Sequence, residues 1–270
     1  MDVRQVPAAT VALACVLCLV AGCSKKEESN LDPVGATDPI PLTVRLMEYD
    51  TTVDDSLVLD LSTMATVTVD GVKAVPFPEL ITTTLITPYD NRTPDDTTDD
   101  IDRRPLYAYR VIGADGYSAH ESRGEPDNRW EHMALGGIST AELQAVFDPG
   151  LGLSRRYNVD NVAAIEIYRM VDVVHDTDTV MVELAEQTTV DLGGDSVAVE
   201  LTEIVAVLAS PQTYRYTLTA VDGYSGISPI AYDTLQTGYW LLAQDHTLFV
   251  PDLGGPSRIR HVQRIEATVD

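Results

Sequence analysis

The 270-residue sequence predicts an α+β, mainly β chain made of two tandem homologous strand-rich units with few short helices. Three observations carry this. Residues 107–118 read YAYRVIGADGYS and residues 214–225 read YRYTLTAVDGYS, the same pattern at an offset of 107 residues. Apolar residues alternate with polar ones through many short stretches, the period-2 signature of half-buried strands. Asp-Gly and Gly-Gly turn signals separate these stretches. The 44% hydrophobic content is ordinary for a chain that builds a core.

Taken in order, residues 42–46, 57–61 and 65–69 alternate and read as strands. Asp70-Gly71 is a turn, and Pro78 suits the first turn of a short helix ending near Ile81. Residues 184–192 repeat 61–69, Gly193-Gly194 replaces the turn, and residues 199–205 repeat 75–81, at offsets of 123 to 124. The offset then falls to 107, so the first unit carries about 17 extra residues between Thr82 and Pro105. Such an insertion, residues 87–104, is expected on the surface. Residues 124–128 form a polar loop, and 130–136 align with 232–238. Ser139 and Glu142 have capping-box spacing. The aligned residues 239–250 read instead as two strands around 244–246, so a hairpin is expected in both places. Phe147 matches Phe249, and the closing strand at 164–168 matches 265–269. The predicted units are residues 40–170 and 171–270. Their spacing of about 100 residues is too long for a solenoid repeat.

The first 22 residues read as a targeting segment, with Arg4 in a short n-region and an apolar run at 6–20 too short to favour a membrane span. The run ends LVAGC at 19–23, which resembles the lipobox of bacterial lipoproteins. The resemblance implies that Cys23 is diacylglycerated, that cleavage falls before it, and that its amine is acylated, with palmitate-type chains anchoring it stably. Ser24, where retained proteins carry Asp, resembles the outer-membrane pattern. The expectation is a lipid-anchored cell-envelope protein of the outer membrane, facing the periplasm or the exterior. Residues 24–39 read as a flexible tether. Cys15 and Cys18 leave with the signal, so the mature chain is expected to lack disulfides and Cys-based metal sites.

The net charge of −24 argues against nucleic acid and against docking on anionic lipid. Asp95, Asp96, Asp99, Asp100 and Asp102 crowd the insertion and are candidate Ca²⁺ ligands, since that ion takes roughly six to eight oxygens. A solvated acidic loop is the competing reading, and the spacing is not that of an EF-hand. His120, Glu121 and His132 fall in one loop region, but no HExxH or His/Cys cluster exists. No Gly-x-Ser-x-Gly occurs, and Ser118 and Ser225 read as turn positions rather than nucleophiles. The two Asp-Gly-Tyr stretches read as tight turns with the tyrosine packed on the core. Trp130, Tyr239 and Trp240 read as core aromatics rather than a contact platform.

The unit order resembles the oxidoreductase molybdopterin-binding fold of the sulfite-oxidase type. The motifs are Val67–Gly71, Phe77–Leu80, Ala114–Tyr117, Val221–Tyr224 and Gly255–Arg258; the first unit has Gly152–Arg155 at the last turn, without its proline. The active family holds molybdenum through a Cys thiolate and binds an anionic pterin phosphate, which favours basic groups. This acidic chain offers neither, so the resemblance implies a degenerate fold with no molybdenum cofactor, and fold does not carry function. The expectation is a non-catalytic membrane-anchored lipoprotein that binds or scaffolds an envelope partner. The alternatives are a degenerate or unrecognised enzyme and a Ca²⁺-dependent adhesion module.

Overall fold

The computed structural model describes residues 38–49, 53–90, 97–194 and 196–269. The signal segment, Cys23 and the tether lie outside them, as do Asp95 and Asp96. The architecture is α+β and mainly β.

The chain opens with the antiparallel pair β1 (Pro41–Glu48) and β2 (Asp55–Asp60), followed by the hairpin β3 (Val67–Val69) and β4 (Val72–Pro76). Asp70 and Gly71 turn that hairpin with positive φ, 47° and 77°, which Asp tolerates and Gly permits freely. Helix α1 (Phe77–Leu80) carries a proline in its first turn and buries Phe77 and Leu80 completely. Next come β5 (Tyr107–Gly113), α2 (Ala119–Arg123), β6 (Asn128–Arg129) and α3 (Trp130–Met133). The hairpin β7 (Gly136–Ser139) and β8 (Ala145–Phe147) leads to the 14-residue strand β9 (Val162–His175).

The remaining elements repeat this order. They are β10 (Asp178–Glu183), β11 (Thr189–Asp191), β12 (Val197–Glu200), α4 (Leu201–Val205), β13 (Tyr214–Ala220), β14 (Ile230–Ala231), α5 (Tyr232–Leu235), the hairpin β15 (Gly238–Leu241) and β16 (His246–Phe249), and β17 (Val262–Val269). Hairpins therefore form at both aligned positions, including residues 139–142. There Ser139 ends a strand, and its hydroxyl still accepts from the Glu142 amide.

Strand β9 belongs to both copies. Its first part pairs parallel with β1 and antiparallel with β5; its last part pairs parallel with β17 and antiparallel with β10. The orders β2-β1-β9-β5 and β10-β9-β17-β13 are thus the same pattern, with one strand closing the first and opening the second. Both copies keep a bulge before the Asp-Gly-Tyr turn, at Ile112/Gly113 and Thr219/Ala220. Tyr109 donates to the Arg104 carbonyl at 2.7 Å, and Tyr216 donates likewise to the Pro211 carbonyl, five residues upstream in each case.

Apolar side chains gather into two cores. One runs from Leu42 to Ile167 and includes Phe77, Leu80 and Tyr109; the other runs from Val171 to Ala267 and includes Leu201, Tyr216 and Trp240. Each fully buried Leu, Ile or Phe contributes about 1.5–3 kcal/mol. On β9, the odd-numbered residues Ile165, Ile167, Val171 and Val173 face these cores and are 0% exposed. The even-numbered Tyr168, Met170 and Asp172 face the opposite side. No helix among the described residues is long and apolar enough to cross a membrane.

Candidate functional site

A groove of about 620 Å³ opens on the even-numbered side of β9, with walls drawn from both copies. One wall is the loop from α2 to α3; the other is β10 and the turn that follows it. Its floor is polar. Arg110 on β5 stands opposite Glu166 in register, so it points to the same face as Tyr168 and Met170. Its guanidinium lies over the Tyr168 ring at 4.6 Å. It donates to Asp127 at 2.9 Å and to Glu183 at 3.0 Å, and all three residues are buried.

Local sequence explains each placement. Ser118 ends the Asp-Gly-Tyr-Ser turn and caps α2, its Oγ accepting from the Glu121 amide at 3.1 Å. Gly124 closes that helix in the left-handed conformation. The single turn between them aims His120 at the groove. Its Nδ1 lies 3.4 Å from Asp127 and its Nε2 lies 3.6 Å from Glu186. The second copy has no helix after its Asp-Gly-Tyr-Ser turn, so nothing there corresponds to His120. Glu183 ends β10 as Asp60 ends β2. Asp60 accepts from the amides of Ile40 and Ser62, whereas Glu183 turns into the groove toward Arg110.

Burial raises the Glu183 carboxyl, and the neighbouring Asp127 raises it further; Arg110 opposes both, and the result is about 9. Glu183 therefore holds its proton more tightly than an ordinary carboxyl, and a cation bound there would displace that proton. The floor can hold a cation or pass a proton between a carboxyl group and His120.

A second polar cluster sits on the core side of β9. Arg169 is 0% exposed and lies at the seam of the two cores. It donates to the carbonyls of Leu106, Met170 and Val262 and to both oxygens of Asp245. Asp245 also accepts from Trp240 Nε1 at 3.1 Å and meets His261 Nδ1 at 2.6 Å. Burial raises the Asp245 carboxyl, but Arg169, His261 and Arg103 overcome it and hold the group well below the usual carboxylate range. The same junction raises Tyr107, chiefly through burial and then through Glu48, to which its hydroxyl donates at 2.7 Å. Arg169 and Asp245 have every side-chain nitrogen and oxygen engaged within the cluster, as expected of a structural rather than an open site.

The insertion feeds this seam. Tyr89 packs tilted against His261 with ring centroids 4.4 Å apart, and Arg103 reaches Asp245 at 3.5 Å. Its ends are therefore pinned to the second copy, beyond the surface loop the sequence suggests. Of the acidic residues proposed for Ca²⁺, Asp99 and Asp100 bring carboxylate oxygens within 4.8 Å of one another and of Asp90. Asp102 instead holds Arg104 through bonds of 2.9 and 3.0 Å.

The Asp-Gly-Tyr stretches are tight turns. Asp115 and Asp222 accept from the amides of Tyr117 and Tyr224 at 3.0 and 2.9 Å, across Gly116 and Gly223 with φ of 81° and 83°. Tyr117 packs against the first core, but Tyr224 is 47% exposed, so core packing holds for one copy only. Trp240 is fully buried, and Trp130 is half-buried under the Arg104 guanidinium at 4.3 Å. No protein-family model, curated protein or solved structure matches the chain.

Proposed function

We propose that this chain is a non-catalytic lipoprotein, anchored through Cys23 in the cell envelope and facing it from the outer membrane, that binds or scaffolds a basic envelope protein through the groove. The observation that carries this reading is the groove wall formed by β10. Among the described residues that strand has β9 as its single strand neighbour, and it presents Val180, 41% exposed, toward the opening. An extended segment can add to such an edge through main-chain hydrogen bonds. Glu131 on the opposite wall and the net charge of −24 favour a positively charged segment.

The test is a photo-crosslinking residue placed at Val180 in cells, with Val58 on β2, which is more exposed still, as control. Adducts with a basic envelope protein at Val180 alone support the reading; adducts equal at both positions, or at neither, refute it. Cys23→Ser is expected to abolish acyl labelling and release the chain from membranes. A second reading, an unrecognised enzyme, is favoured by the convergence of Glu183, Asp127 and His120, a set suited to general acid–base work. Turnover of any compound in a hydrolase substrate panel, lost in Glu183→Gln, would establish it.

A further inference from the structure

The floor of the groove has a property that partner binding does not require. One ring nitrogen of His120 and one carboxylate oxygen from each of Glu183 and Glu186 lie within 4.8 Å of one another. We propose that His120, Glu183 and Glu186 bind a divalent transition-metal ion of the zinc class.

The donor set decides the class. One imidazole with two carboxylates suits zinc and its neighbours, whereas Ca²⁺ and Mg²⁺ prefer oxygen alone. Three protein ligands leave a fourth position open toward the groove. The orientation of His120 fits the role. Its Nδ1 faces Asp127, itself held by Arg110, while Nε2 faces Glu186. A carboxylate behind one ring nitrogen, with the other turned to the ion, is how metal-binding histidines are commonly fixed.

One buried polar atom beside His120 also lacks a partner among the described residues: Asn128 is 3% exposed, and its Oδ1 accepts no hydrogen bond. Asn128, His120 and Asp127 line one small cavity of about 10 Å³, close to the room of a single water. A water carried by the ion would donate to Asn128 there. Charge agrees: Glu121, Asp127, Glu183 and Glu186 all lie within 4.0 Å of Arg110, four carboxyl groups around one guanidinium.

The experiment is calorimetric titration of the full chain in detergent, freed of metal by a chelator, with ZnCl₂ and separately with CaCl₂. One zinc ion per chain is expected, bound at least tenfold more tightly than calcium at this site. His120→Ala and Glu186→Gln should each weaken zinc by tenfold or more, while the Asp99→Asn/Asp100→Asn variant leaves it unchanged. Glu186 is 56% exposed, so its variant keeps the fold even if His120→Ala does not. Absence of zinc heat, equal zinc affinity in Glu186→Gln, or loss of zinc in the Asp99/Asp100 variant would overturn the proposal.

Discussion

Asp245→Asn is the perturbation that best probes how the two copies are joined. Asp245 sits at φ 46°, a conformation that Asn also tolerates, so the change isolates charge from backbone strain. The carboxylate serves Arg169 at 3.3 and 3.4 Å, Trp240 at 3.1 Å, His261 at 2.6 Å and Arg103 at 3.5 Å. Neutralising it leaves the guanidinium of Arg169 buried without its counter-charge, which costs about 3–5 kcal/mol in comparable settings. For a unit of this size that corresponds to a fall in Tm of roughly 6–20 °C. Urea denaturation of wild type, Asp245→Asn, Arg169→Met and the double variant gives the coupling. The double variant should be more stable than the sum of the single losses predicts, because it removes the stranded charge. A loss under about 1 kcal/mol for Asp245→Asn, or strict additivity in the cycle, would show that the seam does not depend on this pair.

Three further expectations follow from the same geometry. Because Arg169, His261 and Arg103 hold Asp245 below its unfolded value of about 3.9, its stabilising contribution is complete above that pH and lost as pH falls toward the folded value. The gap in urea midpoint between wild type and Asp245→Asn should therefore narrow between pH 7 and pH 2.5. Tyr109→Phe and Tyr216→Phe each remove one hydroxyl bond to an upstream carbonyl and should each lose about 1 kcal/mol, adding independently because they lie in different cores. In Gly137→Ala the new Cβ would stand 2.5 Å from the Val75 carbonyl oxygen, a backbone atom that cannot yield without disturbing the β4–β7 pairing. Denaturation should show a loss of about 1–3 kcal/mol.

The duplication was legible because its marks are local. Asp-Gly before a tyrosine dictates a turn, Pro78 dictates a helix start, and alternation dictates strands; each survives in a single sequence. The shared strand was not legible. The run from Val162 to His175 is buried on both faces along much of its length, so its periodicity carries no sign of where one copy ends. The unit boundary drawn at Met170 and Val171 falls inside it. The polar clusters also escaped, since their members are far apart in sequence: Arg110 and Glu183 by 73 residues, Arg103 and Asp245 by 142. A signal did exist. Arg110 and Arg169 interrupt apolar strands, and a charge at a core position requires a buried partner.

Those two arginines explain why the polar clusters gather at the seam. A strand that completes two cores cannot fill both faces with apolar groups where the cores part, because the side chains there contact neither one fully. Arg169 occupies that gap on the core face, and its many acceptors close it. On the opposite face Arg110 lies over Tyr168 and binds Asp127 and Glu183, two residues that line the groove. The first copy alone supplies α2 and Asp127, and β10 of the second supplies Glu183. The groove cluster is therefore a product of the join and of the differences between the copies, and neither copy by itself contains it.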